Sequence, residues 1–315
     1  MKKNLFIVIS SVLVSLALSS CNETNKLDKE VSLIFTSNIQ GHLLEDSNEE
    51  CFGYDGLASY RSKRLELTPY VSLIDLGNFS SGNAKVEESK GALTIEIMNK
   101  VHYDYALLQD QEFSYGLDNI SSLIKKANMT FLASNLKYVG NEIDKLSEVK
   151  NYVIINYGGI KVGLYSLMSS SFMNKYDSSE YLDENGNYIY SLFNDNLDEF
   201  YNDVQKTIND MRSNGAQYII VLSTLNETSP VSLTDVISKT TSIDAAIDGG
   251  SLISFASQSV NNKNNEVVYI SAPGKDFTSI SEITISRAGS ITLTSINGYK
   301  DKNSLITKFI KDKLA

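Results

Sequence analysis

The chain has 315 residues, of which 42% are hydrophobic and 21% charged, with three prolines and no tryptophan. This length and composition are typical of a folded protein with one large or two modest domains, and they exclude disorder along most of the chain. The formal net charge of −10 at pH 7 argues against nucleic acid and anionic lipid headgroups as ligands. Beyond the N-terminal segment, no stretch is long and apolar enough to span a membrane.

The first 20 residues have the features of an export signal. Residues 2–3 are lysines, residues 5–18 are apolar, and Leu18-Ser19-Ser20-Cys21 places small residues before a cysteine. This tetrapeptide resembles a bacterial lipobox, which implies cleavage before Cys21 and acylation of its thiol and amine, for example with palmitate. Because each buried CH₂ group contributes roughly 0.8 kcal/mol, two or three acyl chains would anchor the protein to a membrane. The alternative is a plain secretory signal with an incidental cysteine.

The predicted processing places the rest of the chain outside the cytoplasm, in the bacterial cell envelope. Residues 21–30 have the composition of a solvated tether. Removal of residues 1–20 leaves 26 basic and 38 acidic side chains, a net charge near −12. Cys51 would be the one remaining unmodified thiol, so no internal disulfide is expected.

Apolar runs followed by small polar residues recur along the chain, which predicts an α/β sheet whose strands end at a common site. The predicted strands are residues 31–35, 70–76, 106–108, 130–136, the arms of a hairpin at 152–167, 218–222, 243–247, and three late antiparallel strands at 267–270, 281–286 and 291–296. The predicted helices are one ending near residue 67, then 89–102, 117–128, 197–211 and 303–314. Residues 174–191 are rich in Asp, Asn, Ser and Tyr, which predicts a surface insertion.

Five segments in this order resemble the landmarks of a known family. They are Thr36-Ser37-Asn38-Ile39-Gln40-Gly41, Asp75-Leu76-Gly77-Asn78, the DQEFSYG of residues 110–116, the GIKVG of residues 159–163 and the IDAAIDG of residues 243–249. Together they make residues 31–298 similar to the 5′-nucleotidase branch of the calcineurin-like metallophosphoesterases. The resemblance implies a single-domain four-layer αββα sandwich at 31–298, followed by a C-terminal helix at 299–315. It also implies that the base-stacking second domain of the family is lacking, because the chain ends near its linking helix.

The family holds two divalent metals at the strand ends, where a metal-bound water attacks phosphorus. In this chain the Asp-x-His of the first turn is replaced by Asn38 and Gln40, and the bridging aspartate by Asn78. In the segment that the family writes Asn-His-Glu-Phe-Asp, Asp110 replaces the ligand asparagine, and Gln111 and Ser114 replace the catalytic His and its Asp partner. Further histidine ligands correspond to Thr224, Gly250 and Leu252.

The replacements predict that no metal binds and that no catalytic residue remains. Two divalent ions bring a charge of +4 into a partly buried pocket, and amides bind such ions weakly. Only Asp110 among these positions offers a strong ligand. The alternative is a single or relocated divalent ion, such as Mn, Fe or Zn, held by Asp110 and other residues. We expect His42 and His102 to be surface or capping residues, and Asp244 and Asp248 to cap or hydrogen-bond loops.

Three functions remain open on the sequence alone. The first is a catalytically inactive lipoprotein that binds a polar ligand, such as a sugar or a peptide backbone, or an envelope protein. Its binding residues would be Asn38, Gln40, Asn78, Asp110, Gln111 and Thr224. The second is an active metal-dependent phosphoesterase or 5′-nucleotidase with a remodelled site. The third is a structural envelope lipoprotein, which predicts no ligand in the cleft.

Overall fold

The structure is a computed structural model that describes residues 30–45, 51–176 and 178–315. The predicted signal peptide, Cys21 and residues 22–29 of the predicted tether lie outside the described residues. Within the described ranges, no helix is both long and apolar enough to cross a membrane.

The described residues form fourteen strands and eight α-helices. The strands are β1 (Val31–Thr36), β2 (Val71–Asp75), β3 (Tyr105–Leu107), β4 (Thr130–Leu132), β5 (Lys137–Tyr138), β6 (Tyr152–Tyr157), β7 (Ile160–Leu167), β8 (Tyr190–Ser191), β9 (Tyr218–Ser223), β10 (Ala245–Asp248), β11 (Phe255–Asn261), β12 (Val267–Ala272), β13 (Ser279–Ile285) and β14 (Ile291–Asn297). The helices are α1 (Gly53–Leu67), α2 (Ala84–Glu88), α3 (Ala92–Val101), α4 (Gly116–Lys126), α5 (Phe172–Lys175), α6 (Leu197–Ser213), α7 (Leu233–Lys239) and α8 (Ser304–Leu314).

Two six-stranded sheets replace the one sheet that the strand pattern predicts. The first has the order β14-β13-β1-β2-β3-β4, and the second β11-β12-β10-β9-β7-β6. Strands β1 to β4 run parallel in the first sheet, and β7, β9, β10 and β12 run parallel in the second. A sequence pattern of buried strands does not show how the strands divide between two sheets. The expectation of an αββα sandwich therefore came from the family resemblance alone.

Three hydrophobic clusters separate four layers. Residues such as Leu33, Phe35, Leu164 and Ile220 pack between the two sheets. Helices α1, α3, α4 and α8 cover the outer face of the first sheet, and α6 and α7 cover that of the second. Since the central strands are buried on both faces, they are almost continuously apolar, as parallel strands in α/β proteins are. The four-layer αββα sandwich is confirmed.

The second half of the chain departs from the sequence prediction in several places. β11 was not predicted, because the sequence FASQSVN is mostly exposed and has few apolar residues. β12 pairs antiparallel with β11 but parallel with β10, so the prediction of a purely antiparallel strand at 267–270 is wrong. The segment 174–191 is only partly a surface insertion, because Tyr181 is buried and its hydroxyl donates to the carbonyl oxygen of Phe113 at 3.0 Å.

Helix α8 closes the outer layer over the first sheet. The Asn303 side chain caps its first turn by accepting hydrogen bonds from the N–H groups of Leu305 and Ile306 at 3.1 and 3.2 Å. Ile306 and Ile310 face the hydrophobic cluster under α1 and α3, and Ile310 is fully buried. The helix predicted at 303–314 is therefore confirmed and belongs to the core.

We expect Ile310→Ala to lower the free energy of unfolding by about 2–5 kcal/mol, because it removes buried methyl and methylene groups and leaves a cavity. The measurement is urea denaturation of the full chain followed by circular dichroism. Leu305→Ala, on the exposed face of the same helix at 75% exposure, is the matched control and should change stability by less than about 0.5 kcal/mol. Equal losses in both variants would show that α8 does not pack as described.

Candidate functional site

The loops after β1, β2, β3 and β10 meet at one end of the sandwich. Ser37 and Asn38 follow β1, Asn78 follows β2 after a short turn, Gln109 follows β3, and Gly249 follows β10. Because parallel strands present their carboxyl ends at the same edge, the two sheets bring these residues together. Gly249 belongs to the second sheet and the other four to the first, so contacts among them join the sheets.

These five residues form a hydrogen-bonded group that we call the amide network. The Asn78 side-chain amide donates to Asn38 Oδ1 at 2.7 Å and to Gln109 Oε1 at 2.9 Å. The carbonyl oxygen of Gly249 accepts from Asn38 Nδ2 at 2.8 Å, from Ser37 Oγ at 2.9 Å and from Gln109 Nε2 at 3.3 Å. Ser37, Asn38 and Gln109 are buried. The network therefore satisfies its own hydrogen-bonding groups away from water, as buried polar groups must be satisfied.

The sequence analysis missed Gln109, Ser37 and the Gly249 carbonyl as members of this site. Gln109 Nε2 also donates to the carbonyl oxygen of Leu76 at 2.6 Å, which ties the ends of β2 and β3 together. Gln109 directly follows a predicted strand, a position that places a side chain at the strand-end site. In the family pattern, however, the ligand position corresponds to the next residue, Asp110.

Three residues of the first two turns have left-handed backbone conformations. The φ angles are +49° at Asn38, +49° at Gln40 and +59° at Asn78. Asparagine tolerates this region better than most residues, because its short polar side chain can hydrogen-bond locally. Gln40 is partly exposed at the rim and its N–H donates to the carbonyl oxygen of Asn78 at 3.3 Å. The turns are thus held in shape by backbone contacts as well as by the network.

Glu112 holds the loop after β2 against the loop after β3. Its fully buried carboxylate accepts hydrogen bonds from the N–H groups of Asn78, Phe79 and Gln109, each at 2.9 Å, and from Ser80 N–H at 3.2 Å. Burial raises the pKa of Glu112, and these N–H groups oppose that rise. By accepting the hydrogen bond from the Asn78 backbone, Glu112 holds Asn78 in the position from which its side chain joins the amide network.

Asp110 lies outside the network and is held by a separate group of residues. Its carboxylate accepts a hydrogen bond from Ser171 Oγ at 2.5 Å and lies 3.6 Å from the ammonium of Lys175. The side chains of Asp110 and Lys175 are 18% and 54% exposed. The carboxylate expected to be the strongest metal ligand therefore already faces a cation of the chain itself.

The other predicted positions do not converge on the network through their side chains. Gln111 reaches it only by its backbone N–H, which donates to Asn78 Oδ1 at 3.1 Å. Ser114 Oγ donates to the Gln111 carbonyl oxygen, and Thr224 Oγ1 to the Leu167 carbonyl oxygen at 3.4 Å. Gly250 donates its N–H to Asp248, and the Leu252 side chain is 56% exposed. Of the six predicted binding residues, only Asn38 and Asn78 therefore contribute side chains to the amide network.

The remaining polar residues have structural contacts. Asp248 accepts hydrogen bonds from the N–H groups of Gly250 and Ser251, and Asp244 pairs with Arg212 at 2.5 Å, so the loop roles predicted for both aspartates are confirmed. His102 ends α3 in a left-handed conformation, as the predicted capping role requires. His42 Nε2 lies 3.8 Å from a carboxylate oxygen of Asp276.

The sequence and the fold of this chain were compared with those of known proteins. No family model matches the chain. A curated 2′,3′-cyclic-nucleotide 2′-phosphodiesterase/3′-nucleotidase of Haemophilus influenzae is 28% identical over 159 residues, which is 45% of this chain and 24% of that protein. The crystal structure of a 5′-nucleotidase precursor from Thermus thermophilus matches 90% of this chain and 58% of that chain, with a TM-score of 0.73 and 14% identity. The calcineurin-like phosphoesterase YfkN of Bacillus subtilis matches 91% of this chain and 97% of the solved chain, with a TM-score of 0.67 and 20% identity.

The curated relatives and the solved structures that this chain resembles are 5′-nucleotidases and calcineurin-like phosphoesterases. The match covers the N-terminal domain of the family, and the aligned segment spans about a quarter of the curated relative. The sequence resemblance that predicted this family is therefore confirmed.

The residues at the metallophosphoesterase site do not fit two divalent metals. Among the residues that the structure describes, no three His, Cys, Asp or Glu side chains group closely enough to hold a metal ion. The Oδ1 atoms of Asn38 and Asn78, at two of the family's metal-ligand positions, already accept hydrogen bonds from Asn78 Nδ2 and Gln111 N–H. The Asn78 Nδ2 atom is a donor where a metal needs an electron pair. A cation pair would have to displace the network to enter.

One acid below the network has a pKa well above the usual range of an aspartate. Asp75 is fully buried at the end of β2, where it accepts hydrogen bonds from Thr36 Oγ1 at 2.5 Å and from the N–H of Gly77 at 2.8 Å. Burial raises the pKa of Asp75 to about 8, although both hydrogen bonds act in the opposite direction. The unfolded chain would release this proton near pH 4, so the folded state binds one more proton than the unfolded state between about pH 4 and 8.

We expect the free energy of unfolding to fall as the pH rises through this window. Asp75→Asn, which resembles the protonated acid in shape, should make the slope between pH 5 and 7 less steep by up to about 1.4 kcal/mol per pH unit. The measurement is urea unfolding of both proteins at pH 5, 6 and 7. Asp195→Asn at an exposed position is the control for the change in charge. Parallel pH profiles for wild type and Asp75→Asn would mean that Asp75 is ionised in the fold.

Proposed function

We propose that this protein is a catalytically inactive, metallophosphoesterase-like lipoprotein of the cell envelope that acts by binding a polar ligand or a protein partner. The observation that carries the proposal is the state of Asn78. It stands at the family's metal-bridging position, and its side-chain oxygen and nitrogen both form hydrogen bonds within the protein. A neutral, internally paired amide supplies neither the charge nor the electron pair that a bridge between two cations needs.

The groups left for binding lie around the network rather than in it. Gln111 Oε1 is covered and, within the part of the chain that the structure describes, has no hydrogen-bond partner. Asp110 and Lys175 present one charge of each sign at the rim. In the loop after β10, Leu252 and Ile253 are 56% and 76% exposed. This combination favours a partner with hydrogen-bonding groups next to an apolar contact, such as a peptide segment of an envelope protein.

The first experiment measures metal content and hydrolysis together. We expect full-length protein purified without chelator to contain much less than one Mn, Fe or Zn ion per chain, and to hydrolyse neither AMP nor an aryl phosphate above the buffer rate. The physical reason is the neutral, self-paired amide at position 78. An active nucleotidase assayed in parallel controls for the conditions. Two metal ions per chain, or turnover that a chelator removes, would contradict the proposal and favour the remodelled phosphoesterase.

The second experiment tests the lipid anchor, which lies outside the described residues. We expect mass spectrometry of the N-terminal peptide to show acylated Cys21, since residues 18–21 resemble a lipobox. Cys21→Ser should move the protein from the membrane fraction to the aqueous fraction, because acyl chains supply the membrane affinity. Cys51→Ser, which changes the other thiol, is the matched control and should stay in the membrane fraction. An unmodified Cys21 would leave a plain secretory signal as the explanation.

A further inference from the structure

A cleft in the helical layer over the first sheet is lined by basic side chains. It lies between α1, α3 and α8, has a volume of about 480 Å³, and shares no lining residue with the amide network. The basic residues that line it are Arg61, Lys100, His102 and Lys308, and the acid that lines it is Asp312. This is a local excess of positive charge on a chain whose formal net charge is −10.

The arginine of this cleft forms no ion pair within the described residues, whereas the neighbouring arginine on α1 does. One turn along α1, Arg64 pairs with Glu30 and, at 2.8 Å, with Glu282. Arg61 forms no hydrogen bond or ion pair with any residue that the structure describes, and its Nε atom is covered without a partner. Arg61 also lines the cleft, where an anion could accept hydrogen bonds from the other N–H groups of its guanidinium.

The two lysines add charge without pairing internally. Within the described ranges neither Lys100 nor Lys308 lies within 4.0 Å of a carboxylate, and the Lys100 ammonium lies 5.9 Å from the ring centre of Phe309. The carboxylate of Asp104 interacts electrostatically with Arg61 and His102. Burial raises the pKa of Asp104. Arg61, Lys100 and Lys308 still outnumber the two nearby carboxylates, those of Asp104 and Asp312.

We propose that this cleft binds an anion that carries a phosphate group. The lining has three lysine and arginine side chains and a single acid, Asp312, and a phosphate offers several oxygens that such side chains can donate to. A guanidinium presents paired donors that fit two oxygens of one phosphate, and lysine ammonium groups add point charges around it. The site is separate from the strand-end mouth, so it stands whether or not the proposed function holds.

The phosphate could belong to a small soluble molecule or to a lipid headgroup. Glu30, the first described residue before β1, pairs with Arg64 and so places the entry of the N-terminal segment one helical turn from Arg61. A membrane anchor at Cys21 would therefore keep this side of the protein within nine residues of chain from the bilayer. The local charge makes headgroups possible ligands, although the net charge of the chain argues against them.

The test is isothermal titration calorimetry on the full-length protein in an uncharged detergent. One arm uses inorganic phosphate, and the other uses glycerophosphoglycerol, which is a phospholipid headgroup without acyl chains. We expect saturable binding in at least one arm, weakened about tenfold by Arg61→Gln and by Lys308→Gln, since each removes a charge-assisted contact. Lys206→Gln on α6 makes the same charge change on the opposite helical layer and should bind within about twofold of wild type.

The two arms distinguish the sources of the phosphate. Binding of inorganic phosphate alone supports a soluble ligand, and preferential binding of glycerophosphoglycerol supports a headgroup. No saturable binding in either arm, or equal weakening by Lys206→Gln, overturns the proposal. Lys308 is exposed on α8, so its substitution leaves the core unchanged and keeps the test valid if Arg61→Gln fails to fold.

Discussion

The Gly249 carbonyl oxygen is the point on which the strand-end architecture depends. It accepts three hydrogen bonds from side chains of the other sheet, those of Ser37, Asn38 and Gln109. Two sheets that pack face to face through apolar side chains can slide, because apolar contacts have little directional preference. Buried hydrogen bonds are directional, and leaving one unmade is costly. The amide network therefore fixes how the two sheets meet at the end where the family has its active site.

This arrangement separates two roles that a metal centre combines. A bound metal ion can both fix the position of its protein ligands and carry out chemistry. Here Glu112 and the amide network hold the strand-end loops by hydrogen bonds alone. The groups that face outward, among them Asp110 and Lys175, are not needed to hold the sheets together. The rim residues can therefore be substituted without loss of the contacts that join the sheets.

The sequence predicted most elements of the fold, for reasons that are specific to them. Buried parallel strands such as β1 and β9 are apolar along their length, and α8 has a clear capping residue and an apolar face. β11 was missed because an exposed strand in FASQSVN has neither an apolar run nor strict alternation. The division into two sheets was beyond local patterns and came from family resemblance.

For the site, the sequence indicated which positions had lost metal ligands but not what the new side chains do. Asn38 and Asn78 were expected to offer amides to a ligand, whereas they bond to each other and to Gly249. Residue types give the hydrogen-bonding capacity of a site, and only the fold shows where that capacity is used. Gln109 was overlooked for the same reason, since its role depends on a carbonyl group 140 residues away.

The hydrogen bonds of Asn78 also set the cost of placing a carboxylate at this position. An aspartate at this position would lose the two donors that reach Asn38 and Gln109, and would place a carboxylate against their oxygens. A single Asn78→Asp substitution would therefore remove hydrogen bonds without gaining a contact within the protein. Several neighbouring side chains would therefore have to change together before this position could hold a carboxylate at no cost.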